Sequence, residues 1–194
     1  MNKLSREDLF SLEKYAEVRP EFRARVMAHK KNRRLPIGPN AALYFEDNLT
    51  MQYQVQEMLR AERIFEAEGI QEELDAYNPL IPDGSNWKAT FMLEYSDEAE
   101  RREMLQQLIG IERHVWVQVA DFARVTPVAD EDLERDTEEK TSSVHFLRIE
   151  LTAEMVEAVK QGAAISIGID HPAYTYAAEP VPLNIRDSLA NDLG

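Results

Sequence analysis

The stretch SVHFLRIELTAEMVEAVKQGAAISIGID, residues 143–170, contains a complete strand–helix–strand pattern. Its apolar residues alternate up to Leu151, after which Thr152 is a typical N-cap and Gly162 a typical end for a helix. A second apolar strand is predicted from Ala164 to Ile169. Because a crossover of this length usually joins strands of one sheet, we expect both strands to lie in the same sheet.

A weak internal repeat indicates an earlier copy of this unit. Residues 93–98 (LEYSDE) resemble residues 149–154 (IELTAE), and the first helix also ends at a glycine, Gly110. We predict strands at residues 87–95 and 114–119 around that helix, with a hairpin strand at residues 122–126. The two units predict an α+β fold whose mixed β-sheet is covered by helices.

The N-terminal part is predicted to be mostly helical. We expect a helical pair at residues 5–16 and 20–31, the second of which begins at Pro20, and a long central helix from Asn48 to Gly69. A last amphipathic helix is predicted near the C-terminus. The expectation is a single domain, residues 1–194, with an N-terminal helical region, an α+β body and a tail helix at residues 1–40, 41–179 and 180–194.

Composition excludes several classes of protein. The chain has 194 residues, of which 22 are basic and 36 acidic, and the net charge of −14 opposes binding to nucleic acid. No apolar run is long enough for a membrane helix, and the start MNKLSREDLF contains no signal-peptide core, so we expect a cytoplasmic protein. The absence of cysteine excludes thiol catalysis and cysteine-ligated clusters.

One segment is basic although the chain as a whole is acidic. Residues 19–34 (RPEFRARVMAHKKNRR) contain seven basic residues and one acidic residue. This segment is either a solvated helix that packs near the acidic surface of the protein or a docking patch for an acidic partner or anionic ligand. The partner-docking candidates are Arg23, Lys30, Lys31, Arg33 and Arg34.

The predicted long helix has apolar residues on two sides, which is typical of a helix packed between two layers. Some of its charged residues are therefore expected to be buried, and a buried carboxylate needs a partner. Glu57 either forms an i,i+3 ion pair with Arg60 or shares a ligand site with it. Glu62 and Glu66 either pair with arginines of the basic segment or bind a metal ion.

Three of the four histidines are predicted near strand ends, where adjacent strands would bring them together. Together with Asp170 or Glu57, their imidazoles would suit zinc or non-haem iron. No Glu-x-x-His sequence occurs, so a di-iron bundle is excluded. Each histidine also has a purely structural interpretation. The metal candidates are Glu62, Glu66, His114, His145, Asp170 and His171.

Two polar turns before predicted strands have the composition of anion-binding loops. They lie at residues 83–86 and 141–143, and Lys88 or Arg148 would supply positive charge. Turn capping explains both turns equally well, since neither has a Walker or dinucleotide fingerprint. The ligand-binding candidates are Glu57, Arg60, Asn86, Lys88, Ser142 and Arg148.

Five motifs together resemble the uncharacterised bacterial family of domain of unknown function 3501. They are YFED (44–47), QVQEMLRAERI (54–64), YNPLIPDG (77–84), KAT (88–90) and EKTSSVHFLR (139–148). The resemblance spans nearly the whole chain and implies no catalytic residue. It implies a redox context, because such proteins are associated with operons that encode a rubrerythrin-like protein and an iron–sulfur oxidoreductase.

Three functions therefore stay open. The leading hypothesis is a cytoplasmic accessory or binding protein that acts with those redox partners in oxidative stress or electron transfer. The second is a small metal- or anion-dependent enzyme, in which Glu57, Arg60 and either His145 or His171 line one cavity. The third is a structural homodimer whose interface is the second apolar face of the long helix.

Overall fold

The computed structural model describes residues 2–194, so Met1 of the predicted domain lies outside the described residues. The α+β class is confirmed. The helices are α1 (Leu12–Lys30), α2 (Asn48–Glu62), α3 (Ala67–Tyr77), α4 (Glu98–Gln107), α5 (Ala153–Lys160) and α6 (Leu183–Ala190). The strands are β1 (Arg34–Pro36), β2 (Ala41–Glu46), β3 (Asn86–Leu93), β4 (Val115–Val119), β5 (Val128–Ala129), β6 (Val144–Glu150), β7 (Ile165–His171) and β8 (Tyr174–Ala178).

Within residues 2–194 these strands form two antiparallel sheets, which replace the single mixed sheet expected from the sequence. The first sheet has the order β1-β2-β3-β6-β5 and the second the order β4-β7-β8. Both predicted strand–helix–strand units are present, as β3–α4–β4 and β6–α5–β7. In each unit the helix connects a strand of the first sheet to a strand of the second sheet. The two strands of one unit therefore lie in different sheets.

The main hydrophobic core lies between the two sheets. Alternate residues of β3, such as Trp87 and Phe91, are fully buried against residues of the second sheet such as Ile167. The C-terminal helix α6 closes this core, because the indole Nε1 of Trp87 donates a hydrogen bond of 2.9 Å to the carbonyl oxygen of Leu189. This core holds β6 and β4 in place, and the candidate site described below lies beside them.

Helix α2 has apolar residues on two sides, as predicted. Met51 and Leu59 pack with residues of α3, while Tyr53 packs against Phe22 and Val26 of α1. The helix is shorter than expected, because Arg63 adopts a left-handed conformation (φ 56°, ψ 42°) and ends it. Few residues other than glycine adopt this conformation, so the sequence gives no signal for the end.

The predicted N-terminal helical pair is mostly one helix. A short 3-10 turn occupies Arg6–Asp8, and α1 then runs through Pro20 without a break. Ser11 is its N-cap and accepts a hydrogen bond from the backbone N–H of Lys14. Pro20 has no backbone N–H to donate to the carbonyl oxygen of Ala16, four residues earlier in the helix. Because Ala16 lies on the exposed side of α1, solvent can supply this hydrogen bond instead.

None of the helices in residues 2–194 has the length and apolar character that crossing a membrane requires.

Gly168 of β7 provides a test of the packing between β4 and β7. It lies opposite Trp116, and a Cβ at this position would lie 2.6 Å from Cε2 and 2.8 Å from Nε1 of the indole. We expect Gly168→Ala to lower the free energy of unfolding by about 1–3 kcal/mol, because the buried ring has to move. Chemical denaturation measures this change. Ser166→Ala in the same strand is the control, with an expected effect within about 0.5 kcal/mol, and equal effects of the two substitutions would contradict the prediction.

Candidate functional site

A polar cluster surrounds His145, which is fully buried on β6. Its Nδ1 lies 2.6 Å from Oδ2 of Asp130, a residue that directly follows β5. Its Nε2 lies 2.9 Å from the hydroxyl of Thr141 and 3.0 Å from the carbonyl oxygen of Ser142. The Thr141 hydroxyl in turn donates to a carboxylate oxygen of Asp136. The imidazole is thus enclosed by oxygen atoms.

Glu112 completes the cluster from the 3-10 turn Ile111–His114 that precedes β4. Its side chain is 4% exposed, and its Oε1 lies 3.2 Å from Nε of Arg113. Within residues 2–194 its Oε2 has no hydrogen-bond partner. Glu112, Asp136 and His145 each offer one ligand atom, and these atoms all lie within 4.8 Å of one another.

The electrostatics of this cluster are unfavourable for the protein alone. Burial raises the pKa of Glu112 above its ordinary value of 4.5, and the charge of Asp136 raises it further, whereas a hydrogen bond from its own backbone and the charges of His145 and Arg113 oppose the shift. Buried polar atoms are nearly always hydrogen-bonded, so an unpartnered carboxylate oxygen beside a second carboxylate is a rare arrangement. A bound cation would relieve both features.

The orientation of the His145 ring also favours a cation. When Nδ1 donates to Asp130, Nε2 is left facing the carbonyl oxygen of Ser142, and two lone pairs repel each other at 3.0 Å. A proton on Nε2 or a metal ion at that position removes the repulsion. A carboxylate that orients a histidine through its other nitrogen is the usual outer shell of a protein metal site.

The cluster is accessible from solvent through a small cavity of about 180 Å³. Glu112, Asp130 and Asp136 line the cavity together with the exposed Glu134. Arg135 lies on its wall, where it pairs with Asp130 at 3.0 Å. The acidic lining would attract a cation to the cluster.

The sequence prediction identified His145 but missed Glu112, Asp130 and Asp136. The segment at residues 130–140 is charged and has no apolar stripe, a pattern typical of an exposed linker. Two of its carboxylates, those of Asp130 and Asp136, instead turn inward to the cluster. The ligand atoms come from three separate segments, so no local spacing could indicate them.

The other two histidines of the predicted metal site lie elsewhere. The second sheet brings the rings of His114 and His171 to 5.1 Å from each other, and Nδ1 of His114 lies 3.0 Å from the carbonyl oxygen of Asp170. The His171 nitrogens already have partners, the N–H of Ala173 and the carbonyl oxygen of Ile109. Burial also lowers the pKa of His171, which favours the neutral ring. This arrangement fits the structural interpretation of these two histidines.

The charged residues of α2 and the residues just beyond it are not gathered in a site. Glu57 is half-buried, but its partner is Arg19 of α1 rather than Arg60, with contacts of 2.7 and 2.9 Å. The Arg19 guanidinium holds the pKa of Glu57 below its ordinary value. Arg60, Glu62 and Glu66 are exposed, which corrects the expectation that they are buried. The reason is that α2 ends at Glu62, so its last turn extends beyond the packed layers.

The ligand-binding candidates from the two polar turns divide into two pairs. Asn86 is buried and accepts a hydrogen bond from the backbone N–H of Asp83, and the Ser142 hydroxyl accepts from the backbone N–H of Val144, so both stabilise turns. Lys88 and Arg148 lie opposite each other on β3 and β6. They line a larger cavity of about 650 Å³ on the outer face of the first sheet.

The basic segment supplies fewer free charges than expected. Arg33 is buried and pairs with Asp192 at 2.8 Å, so it is not available as a docking residue. Lys30 packs over the ring of Tyr53 at 5.3 Å, and Arg34 pairs with Glu94 at 2.8 Å. Of the predicted docking residues, Arg23, Lys31 and Arg34 are exposed, and of these Arg34 is already paired with Glu94.

Comparisons with known proteins agree with the resemblance seen in the sequence. A comparison with curated proteins finds no match. A crystal structure of a novel protein of unknown function from Burkholderia pseudomallei K96243 is similar over 100% of both chains, with 53% identity and a TM-score of 0.94. The model of the DUF3501 family, described as proteins of unknown function, matches residues 3–193. The chain therefore belongs to the DUF3501 family.

Proposed function

We propose that this protein binds a divalent transition metal ion at Glu112, Asp136 and His145. The observation that carries the proposal is the buried Oε2 of Glu112, which has no hydrogen-bond partner in residues 2–194 and lies beside the other two side chains. Two carboxylates and one imidazole suit zinc, ferrous iron or manganese. Zinc or iron is also one of the alternatives expected from the sequence, although here Glu112 and Asp136 replace the carboxylates expected from the long helix.

Charge balance supports a divalent ion. The carboxylates of Glu112 and Asp136 together carry two negative charges when both are ionised, and a divalent cation neutralises both, whereas the exposed Arg113 contacts Oε1 of Glu112. The charge of Asp130 is balanced in part by Arg135, which lies 3.0 Å away and also pairs with Asp132 at 2.6 Å. Asp130 would orient His145 toward the ion, and metal binding would displace any proton from Nε2.

Three protein ligands leave coordination positions for water or a substrate, as in catalytic rather than structural metal sites. A metal-dependent enzyme therefore stays an alternative to a binding protein. The enzyme hypothesis that places Glu57, Arg60 and His145 in one cavity has less support, because Glu57 pairs with Arg19 of α1 whereas His145 lies on β6.

We further propose, on the family resemblance, an accessory role in the cytoplasm beside a rubrerythrin-like protein and an iron–sulfur oxidoreductase. The exposed Arg23 and Lys31 are the charges left for docking an acidic partner. Affinity purification from the native organism tests this role, and recovery of neither partner would contradict it without affecting the metal proposal. The homodimer hypothesis is a separate prediction, which light scattering tests.

Calorimetric titration of the chelator-treated protein with Mn²⁺ and Zn²⁺ tests the metal site. We expect one ion per chain, and Glu112→Gln should weaken binding by about 100-fold or more, because losing a direct ligand costs at least as much as losing an outer-shell partner. Glu134→Gln is the matched control, since Glu134 lines the same cavity without belonging to the cluster, and it should change affinity less than about threefold. Equal affinities of the wild type and Glu112→Gln would overturn the proposal.

A further inference from the structure

The larger cavity, of about 650 Å³, has the size of a small-molecule site and shares no lining residue with the cavity at the metal cluster. One wall is formed by Tyr77 at the end of α3 and by Pro79 and Leu80 in the turn that follows. The opposite wall is the outer face of the first sheet, where Phe146 is half-buried. The interior of the cavity is therefore mostly apolar.

The charged side chains that line this cavity are the carboxylates of Asp75, Glu131 and Asp132 and the cations Lys88 and Arg148. Lys88 and Arg148 are directly opposite in the β3–β6 register, and both are half-buried. Like charges directly opposite on adjacent strands destabilise a sheet unless other groups compensate them. For Arg148 the compensation comes from Glu131 and Glu150, whereas Lys88 donates to the carbonyl oxygen of Pro79.

The contact between Glu131 and Arg148 has the geometry of a bound carboxylate. Both oxygens of Glu131 accept hydrogen bonds of 2.8 Å, one from Nε and one from Nη2 of the guanidinium. Glu131 belongs to the acidic segment after β5 and its side chain is 52% exposed, so it reaches Arg148 from the solvent side. An ion pair this exposed adds little stability, and another carboxylate can replace it at small cost.

We infer that this cavity binds a small molecule with an apolar body and one carboxylate, which replaces Glu131 on Arg148. The fork of the guanidinium would hold the carboxylate through two hydrogen bonds. The apolar body would lie against Leu80 and Phe146, where it is removed from water. Lys88 adds a second positive charge at the same end. This inference does not depend on the metal proposal.

A fluorescence titration with 1-anilinonaphthalene-8-sulfonate, which has an aromatic body and one anionic group, tests the cavity. We expect decanoate to displace this probe and decanol, which has the same apolar chain without the charge, to displace it at least about tenfold less well. Arg148→Met should weaken decanoate binding by about tenfold. Arg102→Met is the matched control, because Arg102 lies on α4 in an exposed pair with Glu98, and it should leave binding unchanged.

Glu131→Gln is the decisive variant, since it removes the competing carboxylate of the protein. Its affinity for decanoate should rise about threefold or more, whereas a variant that merely damages the fold would bind less well. Unchanged or weaker binding by Glu131→Gln, or equal competition by decanol and decanoate, would overturn the inference. Treatment with a chelator should leave all these affinities unchanged, so the outcome is separable from that of the metal experiment.

Discussion

Replacing Arg33 with methionine will lower the free energy of unfolding by about 3–5 kcal/mol, because it breaks a buried ion pair from one side. The Arg33 side chain is 2% exposed and lies 2.8 Å from the carboxylate of Asp192, which is 3% exposed. It also donates to the backbone carbonyl oxygens of Phe45 and Glu46. The guanidinium thus fastens the C-terminal end of the chain to the end of β2.

The neighbouring Arg34 is the matched control for this experiment. Its side chain is 41% exposed and its partner Glu94 is 34% exposed, so Arg34→Met should cost less than about 1 kcal/mol. Denaturant unfolding monitored by circular dichroism measures both changes. Similar costs for the two arginines would contradict the view that burial of Arg33 determines its contribution.

A double variant separates the lost interaction from the charge left behind. In Arg33→Met the carboxylate of Asp192 stays buried without its main partner, and most of the expected cost comes from this carboxylate. Arg33→Met combined with Asp192→Leu should therefore be more stable than Arg33→Met alone, by about 2 kcal/mol. If the double variant is no more stable than the single one, the cost comes from lost backbone hydrogen bonds instead.

The position of Arg33 also shows which structural features of the basic segment can be predicted from the sequence. Helical periodicity and charge indicate a basic helix, and α1 is that helix. They do not indicate that the chain after α1 turns into the protein at Arg33, because its partner Asp192 is 159 residues away in sequence. Long-range ion pairs leave no local pattern.

The fold shows the same division between local and long-range information. Thr152 and the glycine after α5 predict the strand–helix–strand unit, and the structure has it at β6–α5–β7. The sheet that receives β7 depends on packing across the core rather than on the crossover, so the expectation of one mixed sheet was not met. Similarly, the early end of α2 depends on the left-handed conformation of Arg63, a residue that seldom adopts it.

The candidate metal site was predictable only in part. His145 was a candidate because it lies early in a predicted strand, but the structure surrounds it with oxygen atoms of Asp130, Thr141 and Ser142 rather than with other histidines. Its proposed co-ligands come from a 3-10 turn and from a charged loop, at Glu112 and Asp136. A charged loop ordinarily indicates solvent exposure, and the sequence contains no sign that two of its carboxylates turn inward.

Glu112→Gln will change the stability of the protein in opposite directions without and with metal. In chelator at pH 7 we expect the variant to unfold with a free energy about 1–2 kcal/mol higher than the wild type, because the substitution removes a buried carboxylate whose Oε2 has no hydrogen-bond partner in residues 2–194. The new amide can also donate to the carboxylate of Asp136, which lies in the same cluster. A purely structural carboxylate would give the opposite sign.

Saturating metal should reverse this order. At an ion concentration about 1000 times the dissociation constant, the wild type gains about 4 kcal/mol, whereas the variant, which binds at least about 100-fold more weakly, gains at most about 1.5 kcal/mol. Thermal and denaturant unfolding with Mn²⁺ or Zn²⁺ measure both gains, and Glu134→Gln should follow the wild type under each condition. If the variant is less stable than the wild type both in chelator and in metal, Glu112 is a structural residue. A metal ligand that destabilises the metal-free protein must instead give a variant that is more stable in chelator and less stable in metal.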